Sequence, residues 1–347
     1  MTAVKKTTID LSRGTHIVTG GAGLIGSAIV WALNRRGIDD IFVVDRLDTS
    51  AKWKNLVPLR YRDYLDADDF ERTLTGGAKP FGDLTAIFHL GACSSTTECD
   101  AAFLMRNNYG FTKNVARFAL DQRVRLVYAS SAATYGALES NLSDEGDLRT
   151  LRPLNMYAYS KHLFDLYAER MGFFDRIAGI KYFNVFGPNE SHKGEMRSLV
   201  DKAFHQIRAT GAAQLFRSYR PEYRDGEQQR DFLYVKDAAE MTLHLAQSDA
   251  AGLYNVGSGI AHTWLELVRP IFRALALPER IDFIEMPEQL RAKYQYSTCA
   301  RIDRLRATGY ERAIAPLADA VDDYVRNYLI ADRRLDPAQA TGDALVN

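Results

Sequence analysis

The sequence is poor in several features that would have placed it in a class at once. Only three of its 347 residues are cysteine (Cys93, Cys99 and Cys299), which excludes a disulfide framework and fits reduced thiols. Cys93 and Cys99 are too far apart for a zinc knuckle and no second pair follows, so no metal site is expected. An excess of one charge is missing as well. The 44 Lys+Arg balance the 44 Asp+Glu, which removes the global footprint of a nucleic-acid or anionic-membrane binder. No run approaches the ~18 apolar residues needed to cross a bilayer. The first twenty residues hold no apolar stretch of the signal-peptide kind, so a cytoplasmic protein is expected. Internal repeats and low-complexity tracts are absent too.

What is present is ordinary for a globular chain: 46% hydrophobic and 25% charged residues, enough for one large α/β unit or two packed domains. Short apolar strands are predicted at 16–19, 41–44, 59–61, 86–90, 126–130 and 179–182. Helical periodicity falls between them, at 24–36, 103–120 and 157–171. Such alternation implies parallel pairing with right-handed crossovers, an α/β fold with a Rossmann-type doubly wound parallel sheet. After Gly187 the rhythm loosens. Short strands at 232–235, 254–256 and 282–284 read as a smaller mixed α/β carboxyl-terminal lobe over the strand ends, where open α/β sheets bind ligands. The expected division is a dinucleotide domain at 14–187 with late returns from the carboxyl-terminal half. A substrate lobe at 188–330 follows, with loosely packed tails at 1–13 and 331–347.

The first predicted strand runs into Gly20-Gly21-Ala22-Gly23-Leu24-Ile25-Gly26. Gly21-x-Gly23-x-x-Gly26 fits the dinucleotide fingerprint, and Gly20-x-x-Gly23-x-x-Gly26 fits its looser variant. One glycine permits the tight turn, one lets the backbone approach a pyrophosphate, and one lets the helix pack on the strand. The phosphates then meet free N–H groups at the helix start. The competing reading, a glycine turn with no ligand, is weakened by Asp45 at the end of the next strand. Asp45 is placed for an adenosine ribose, which suits NAD. Arg46 and Lys52 can hold a 2′-phosphate, so NADP is expected, with NAD possible.

A second constellation starts where the strand at 126–130 meets Ser131. Tyr157 and Lys161 stand four apart on one helix face. A phenol near pKa 10 is a poor base at neutral pH, and a neighbouring ammonium favours its ionised form. Lys161 also reaches toward a nicotinamide ribose, and Ser131 toward the oxygen at the reacting carbon. Tyr159 is the rival tyrosine, but it faces elsewhere. By itself Tyr-x-x-x-Lys is a common spacing, and the bland alternative is an exposed lysine beside two packed tyrosines.

With these motifs in place, the chain resembles the extended short-chain dehydrogenase/reductases from about residue 14 to 329. More narrowly it resembles the ADP-heptose 6-epimerase family. The stretches that carry this are Gly91-Ala92-Cys93-Ser94-Ser95-Thr96-Thr97-Glu98, residues 128–136 and 153–161, and Tyr182-Phe183-Asn184-Val185-Phe186-Gly187-Pro188. His192-Lys193-Gly194, Arg230-Asp231-Phe232 and Lys293-Tyr294-Gln295 complete the set. The resemblance implies transient oxidation at C6 of the heptose in an ADP-linked sugar, reorientation of the carbonyl, and hydride return to its other face, for lipopolysaccharide core precursor synthesis. It implies tightly held NADP and a homo-oligomer. Tyr157 matches the first acid/base and Lys193 the second, with Ser131 and Lys161 beside them; His192 is placed to tune Lys193. Around the cofactor it implies Gly20, Gly23, Leu24, Ile25, Gly26, Asp45, Arg46, Lys52, Leu90, Gly91, Ala92, Cys93, Ser94, Asn107, Lys161, Val185 and Lys193. Around the nucleotide sugar it implies Ser131, Asn184, Glu195, Lys202, Phe216, Arg217, Ser218, Tyr219, Arg230 and Tyr294. Three departures stand out: Arg46 where Asn is common, Glu195 where a small hydroxyl residue is common, and a longer stretch at 217–229.

Two alternatives remain open from the residues. Another nucleotide-sugar epimerase or reductase on the same scaffold is one, although Ala132-Ala133-Thr134 lacks the acidic pair a dehydratase needs. A non-catalytic nucleotide-binding protein is the other, and it would have no use for an intact Ser131, Tyr157 and Lys161.

Overall fold

A computed structural model describes residues 8–76, 81–291 and 294–339. Twelve strands are numbered here in chain order. Seven build a central sheet: β1 (Thr15–Thr19), β2 (Ile41–Asp45), β3 (Asp63–Asp66), β4 (Leu84–His89), β5 (Arg125–Ala129), β6 (Ala178–Tyr182) and β10 (Gly252–Val256). Their order is β10-β6-β5-β4-β1-β2-β3, and every neighbouring pair is parallel. The chain therefore winds one way from β1 to β3, then returns past β1 to lay down β4. That reversal opens a crevice at the carboxyl ends of β1 and β4, where a doubly wound sheet takes its ligand.

The strands are buried on both sides, so successive residues feed opposite cores. Val18, Val43, Phe88 and Val127 face one core, which packs against the helices Leu24–Arg35 and Val235–Gln247. Ile17, Val44, Ile87 and Leu126 face the other, shared with Phe70, Phe111 and Phe164. The remaining strands form two small sheets. β7 (Asn184–Phe186), β9 (Gln229–Tyr234) and β11 (Ala261–Thr263) make one, with order β11-β9-β7. β8 (Ala213–Phe216) and β12 (Ile281–Ile284) make the other.

Four sequence expectations need correction. The third strand lies at Asp63–Asp66 rather than 59–61, because pairing with β2 fixes it while Leu59 tucks into the core beneath. Residues 254–256 do not join the smaller lobe: they lie in β10, the edge of the central sheet beside β6. The helix expected over 103–120 is interrupted by a π-helical stretch at Met105–Gly110. The expected tails are anchored in part, since Leu11 and Leu335 are fully buried. The His16 ring bonds the Leu11 carbonyl at 2.8 Å, and the Leu335 amide donates to Asn189 Oδ1 at 3.1 Å.

Candidate active site

The crevice holds a cleft of about 500 Å³. One wall is the turn after β1. Gly20 has φ +67°, and a Cβ there would meet Gly91 N and the Leu90 carbonyl carbon at 2.8 Å. A Cβ on Gly26 would come within 2.1 Å of the Gly20 carbonyl oxygen, so only glycine lets the helix seat on the turn. The helix Leu24–Arg35 starts at Gly23 with no side-chain cap and no acidic residue in its first turn. Its first amides and dipole are thus offered to an anion at the cleft. A dinucleotide pyrophosphate fits this cradle.

Asp45 ends β2 and lines the cleft. Its carboxylate accepts from Ala22 N at 2.9 Å and from Lys52 Nζ at 2.8 Å. Leu24, Ile25, Asp45 and Lys52 line the cleft. Arg46 and Asn107 do not line it; the Arg46 guanidinium donates to Asp68 and to Asn107 Oδ1. Asn107 belongs to the π-helical stretch, and its neighbour Asn108 bonds the Cys93 amide and carbonyl at 2.9 and 3.0 Å. Asn108 also reaches Ser160 Oγ at 2.9 Å, tying the Leu90–Ser94 wall to the helix that carries Tyr157. Both asparagines lie in this widened turn, and such bulges recur at functional sites.

Ser131, Tyr157, Lys161, Val185 and Lys193 line the same cleft. Ser131 extends from β5, and the helix Met156–Arg170 is started by an Asn155 cap on Ala158 N. Tyr159 is 44% exposed on the outer side of that helix. Burial raises the Tyr157 phenol above 10.0, and a hydrogen bond from Ser131 pulls it back. This departs from the expectation that Lys161 would lower it. The reason is where the amine points: Lys161 Nζ donates to the Ala129 carbonyl at 2.8 Å. Burial pushes Lys161 itself down to about 8, opposed by the charge of Asp165.

Behind these groups lies a buried network that sequence reading missed. Asp165, fully buried, accepts from Tyr128 Oη at 2.7 Å, Ser130 Oγ at 2.6 Å and Lys181 Nζ at 3.2 Å. Lys181 also donates to Thr134 Oγ1 at 2.5 Å. The signal available was Asp165 four residues after Lys161, on the same helix face.

Lys193 sits in the turn Ser191–Met196. Burial lowers its amine below 10.5, and Glu190 opposes this. His192 does not tune Lys193 as expected; the influence runs the other way. Burial, then the charges of Lys193 and Lys52, push its imidazole down to about 4, so it stays neutral.

The residues expected on the sugar side are spread out. Arg230, 9% exposed, lies over the Tyr294 ring at 5.0 Å and the Trp264 ring at 5.8 Å. Trp264 Nε1 donates to Tyr294 Oη at 2.8 Å. Asn184 Nδ2 donates to the Asp231 carbonyl at 3.1 Å. Phe216 ends β8, Ser218 N donates to Asp225 at 2.7 Å, and Arg217 pairs with Asp225 at 3.3 Å. The Tyr219 hydroxyl bonds Glu285. Glu195 is not drawn toward the cleft: its side chain is 95% exposed and meets Lys202 at 3.3 Å. Of this set only Ser131 lines the cleft. Lys293 lies outside the described residues. Among the described residues no group of three His, Cys, Asp or Glu is placed to hold a metal ion, and no helix is long and apolar enough to cross a membrane.

Comparison with known proteins agrees with this architecture. Residues 16–257 match the NAD dependent epimerase/dehydratase family. An ADP-L-glycero-D-manno-heptose-6-epimerase of Nitratidesulfovibrio vulgaris (strain DP4) is 51% identical over 318 residues, covering 91% of this chain and 98% of the relative. One from Fusobacterium nucleatum subsp. nucleatum is 43% identical over 325 residues, covering 90% and 97%. Among solved structures, Helicobacter pylori ADP-L-glycero-D-manno-heptose-6-epimerase superposes with a TM-score of 0.77 at 25% identity, covering 91% of this chain and 96% of that one.

Proposed function

The chain belongs to the NAD dependent epimerase/dehydratase family, and from that premise we propose that it inverts C6 of a nucleotide-linked heptose. The reaction interconverts ADP-D-glycero-D-manno-heptose and ADP-L-glycero-D-manno-heptose, a step toward the lipopolysaccharide core. Relatives bearing that activity's name match along nearly their whole length. The observation that carries the reading is one cleft lined by Ser131, Tyr157, Lys161 and Lys193, beside a glycine cradle fit for a pyrophosphate.

A nicotinamide dinucleotide is the family's cofactor; the glycine turn, Asp45 and Lys52 would hold it, and it would supply reversible hydride acceptance at C6. C6 is a secondary carbinol, so the sugar passes through a ketone. Tyr157 accepts the O6 proton as the hydride leaves, with Ser131 hydrogen-bonded to the same oxygen. Lys161, its amine held on the Ala129 carbonyl, would hold the nicotinamide ribose rather than ionise Tyr157. After the ketone turns about the C5–C6 bond, Lys193 donates the proton to O6 on the new face. Burial pushes both amines below the usual lysine range, Lys161 to about 8, which eases proton release from each. The 2′-phosphorylated cofactor is our choice because Lys52 places a cation at Asp45 on the cleft wall. We place the enzyme in the cytoplasm as a homo-oligomer, as the sequence resemblance implies. The smaller sheets with Arg230 and Tyr294 form the sugar-nucleotide side.

Proton NMR of the purified protein with ADP-D-glycero-D-manno-heptose, without added cofactor, tests this. The L-glycero epimer is expected to accumulate to equilibrium. No conversion after adding NADP and then NAD overturns the assignment of substrate. Lys193→Ala is expected to lose turnover on the order of 10²–10⁴-fold while retaining cofactor.

A further inference from the structure

Glu139 follows the short helix Ala132–Tyr135 that Ser131 caps, and the mechanism leaves it unused. Its two carboxylate oxygens hold two different segments of the chain. Oε2 accepts from Arg220 Nη1 at 2.6 Å, and Oε1 accepts the Tyr296 amide at 2.7 Å. Arg220 belongs to the long stretch 217–229, and its guanidinium also lies over the Tyr296 ring, 4.3 Å from the centroid. Tyr296 ties that stretch further: its hydroxyl oxygen accepts the Tyr219 amide at 3.1 Å and its carbonyl the Gln229 amide at 2.8 Å. Next to it, Gln295 Nε2 donates to the carbonyls of Gly136 at 2.7 Å and Leu138 at 3.1 Å. Residues 136–139 and 294–296 are thus stitched together by side chains from both segments.

From Tyr296 the contacts run on to the sugar-nucleotide side. Its ring meets Tyr294 edge-on at 5.4 Å, and the Arg230 guanidinium lies over Tyr294 at 5.0 Å. Arg230 is buried, and its neighbours are the Tyr294 and Trp264 rings and the Gln229 carbonyl, at 2.7 Å from Nη1; none of them is a counter-charge. A buried guanidinium in such a setting is costly until an anion meets it, so its exact placement matters to that anion. We propose that Glu139 is a positioning residue for the nucleotide end of the substrate. It pins Arg220 and Tyr296 to the loop that leaves Ser131, and Tyr296 sets Tyr294 and Arg230. This deepens the sugar-nucleotide reading above and rests on it. It also gives the long stretch 217–229 a task, since Arg220 is the side chain by which that stretch reaches the Ser131 loop.

Full-length Glu139→Ala, Arg220→Met and the double variant test this, first without substrate. In Glu139→Ala, amide hydrogen exchange is expected to quicken by about tenfold in peptides spanning 217–229 and 294–296, and to stay at the wild-type rate in those spanning β1 to β5. Calorimetric titration with ADP then probes the nucleotide end alone. The ADP Kd and the KM for ADP-D-glycero-D-manno-heptose should both rise about fivefold, the loss expected for one charge-assisted hydrogen bond. Over the same series kcat should stay within about a factor of two. The double variant should be no worse than Glu139→Ala, because both changes break one clasp. Unchanged exchange in Glu139→Ala overturns the pinning. An unchanged ADP Kd, a loss confined to kcat, or additive losses in the double variant overturns the positioning role. Wild type that binds no ADP overturns instead the sugar-nucleotide reading itself, whatever the exchange shows. If Glu139→Ala does not fold by near-ultraviolet circular dichroism, Arg220→Met carries both measurements: its side chain is half-exposed, and the same directions are expected and the same null results overturn the proposal.

Discussion

Replacing Asp165 by asparagine removes one negative charge from the interior and turns one of its two acceptor oxygens into a donor. The carboxylate is 0% exposed and its partner Lys181 only 1%. Lys181 retains Thr134 Oγ1 and the face of the Tyr135 ring, 5.0 Å from its nitrogen, but neither carries a counter-charge. Leaving a buried ammonium unpaired destabilises a protein by about 3–5 kcal/mol. That is a large share of a typical total of about 5–15 kcal/mol. Replacing the pair together should hurt less, because no orphan charge remains. Urea unfolding of wild type, Asp165→Asn, Lys181→Met and the double variant measures this directly. The double variant should be more stable than the sum of the singles requires by more than about 1 kcal/mol. A loss under ~1 kcal/mol for Asp165→Asn, or strictly additive singles, would refute the reasoning. Function should follow stability here. Ser130, which Asp165 holds at 2.6 Å, directly precedes Ser131, and Lys161 loses the charge that opposes burial. The folded fraction of Asp165→Asn should therefore turn over more slowly while still carrying cofactor.

Lys161 lies at about 8 in the folded protein against 10.5 for a free lysine, so the unfolded chain holds the proton more tightly. The resulting penalty, about 3 kcal/mol, is fully present below pH 8 and is relieved as pH rises to 10.5. Wild type should gain stability relative to Lys161→Met across that window; parallel curves would sink the assignment. Gly26→Ala drives a Cβ to 2.1 Å from the Gly20 carbonyl oxygen, so the purified variant should lack the nicotinamide cofactor expected to co-purify with wild type. Full cofactor content in that variant would mean the turn is slack. Lys52→Ala should weaken NADPH binding at least about tenfold, roughly 1.4 kcal/mol, and leave NADH binding within a factor of two or three. Equal losses in a fluorescence titration would assign Lys52 to Asp45 alone rather than to a 2′-phosphate.

What could be read from the sequence was contiguous. The glycine turn, the Tyr-x-x-x-Lys helix and the apolar strands carry their signal in neighbouring residues, and the cleft they form was legible in outline. The missing parts depend on the chain's return. β10 follows β6 by about seventy residues, and only pairing at Gly252–Ala178 reveals that it closes the central sheet. β3 has acids at both ends and is largely half-exposed, so no apolar run announces it. Asp165 and Lys181 read as a helix surface acid and an odd strand lysine until folding removes both from water. The direction expected for Tyr157 failed because spacing placed Lys161 on its face without saying where the amine would point.

The same limit conceals what keeps Lys193 in register with Tyr157. Asn55, 1% exposed, donates to the Ala22 carbonyl in the glycine turn and to the Asn189 carbonyl, both at 2.9 Å. Asn189, at φ +77°, sends its amide to Ser27 Oγ on the glycine-turn helix at 2.9 Å. An asparagine tolerates that left-handed backbone where most residues would not. The turn holding Lys193 is therefore stapled to the cofactor cradle, not only to the smaller sheets. Inversion through a ketone requires hydride to leave and return on one fixed side while the sugar presents two faces in succession. With Tyr157, Lys161 and Lys193 all held in the frame of the cradle, the sugar is the part left free to turn. On the proposed reading, Arg230 and Tyr294, which do not line the cleft, would hold the nucleotide end while C6 turns about its bond to C5.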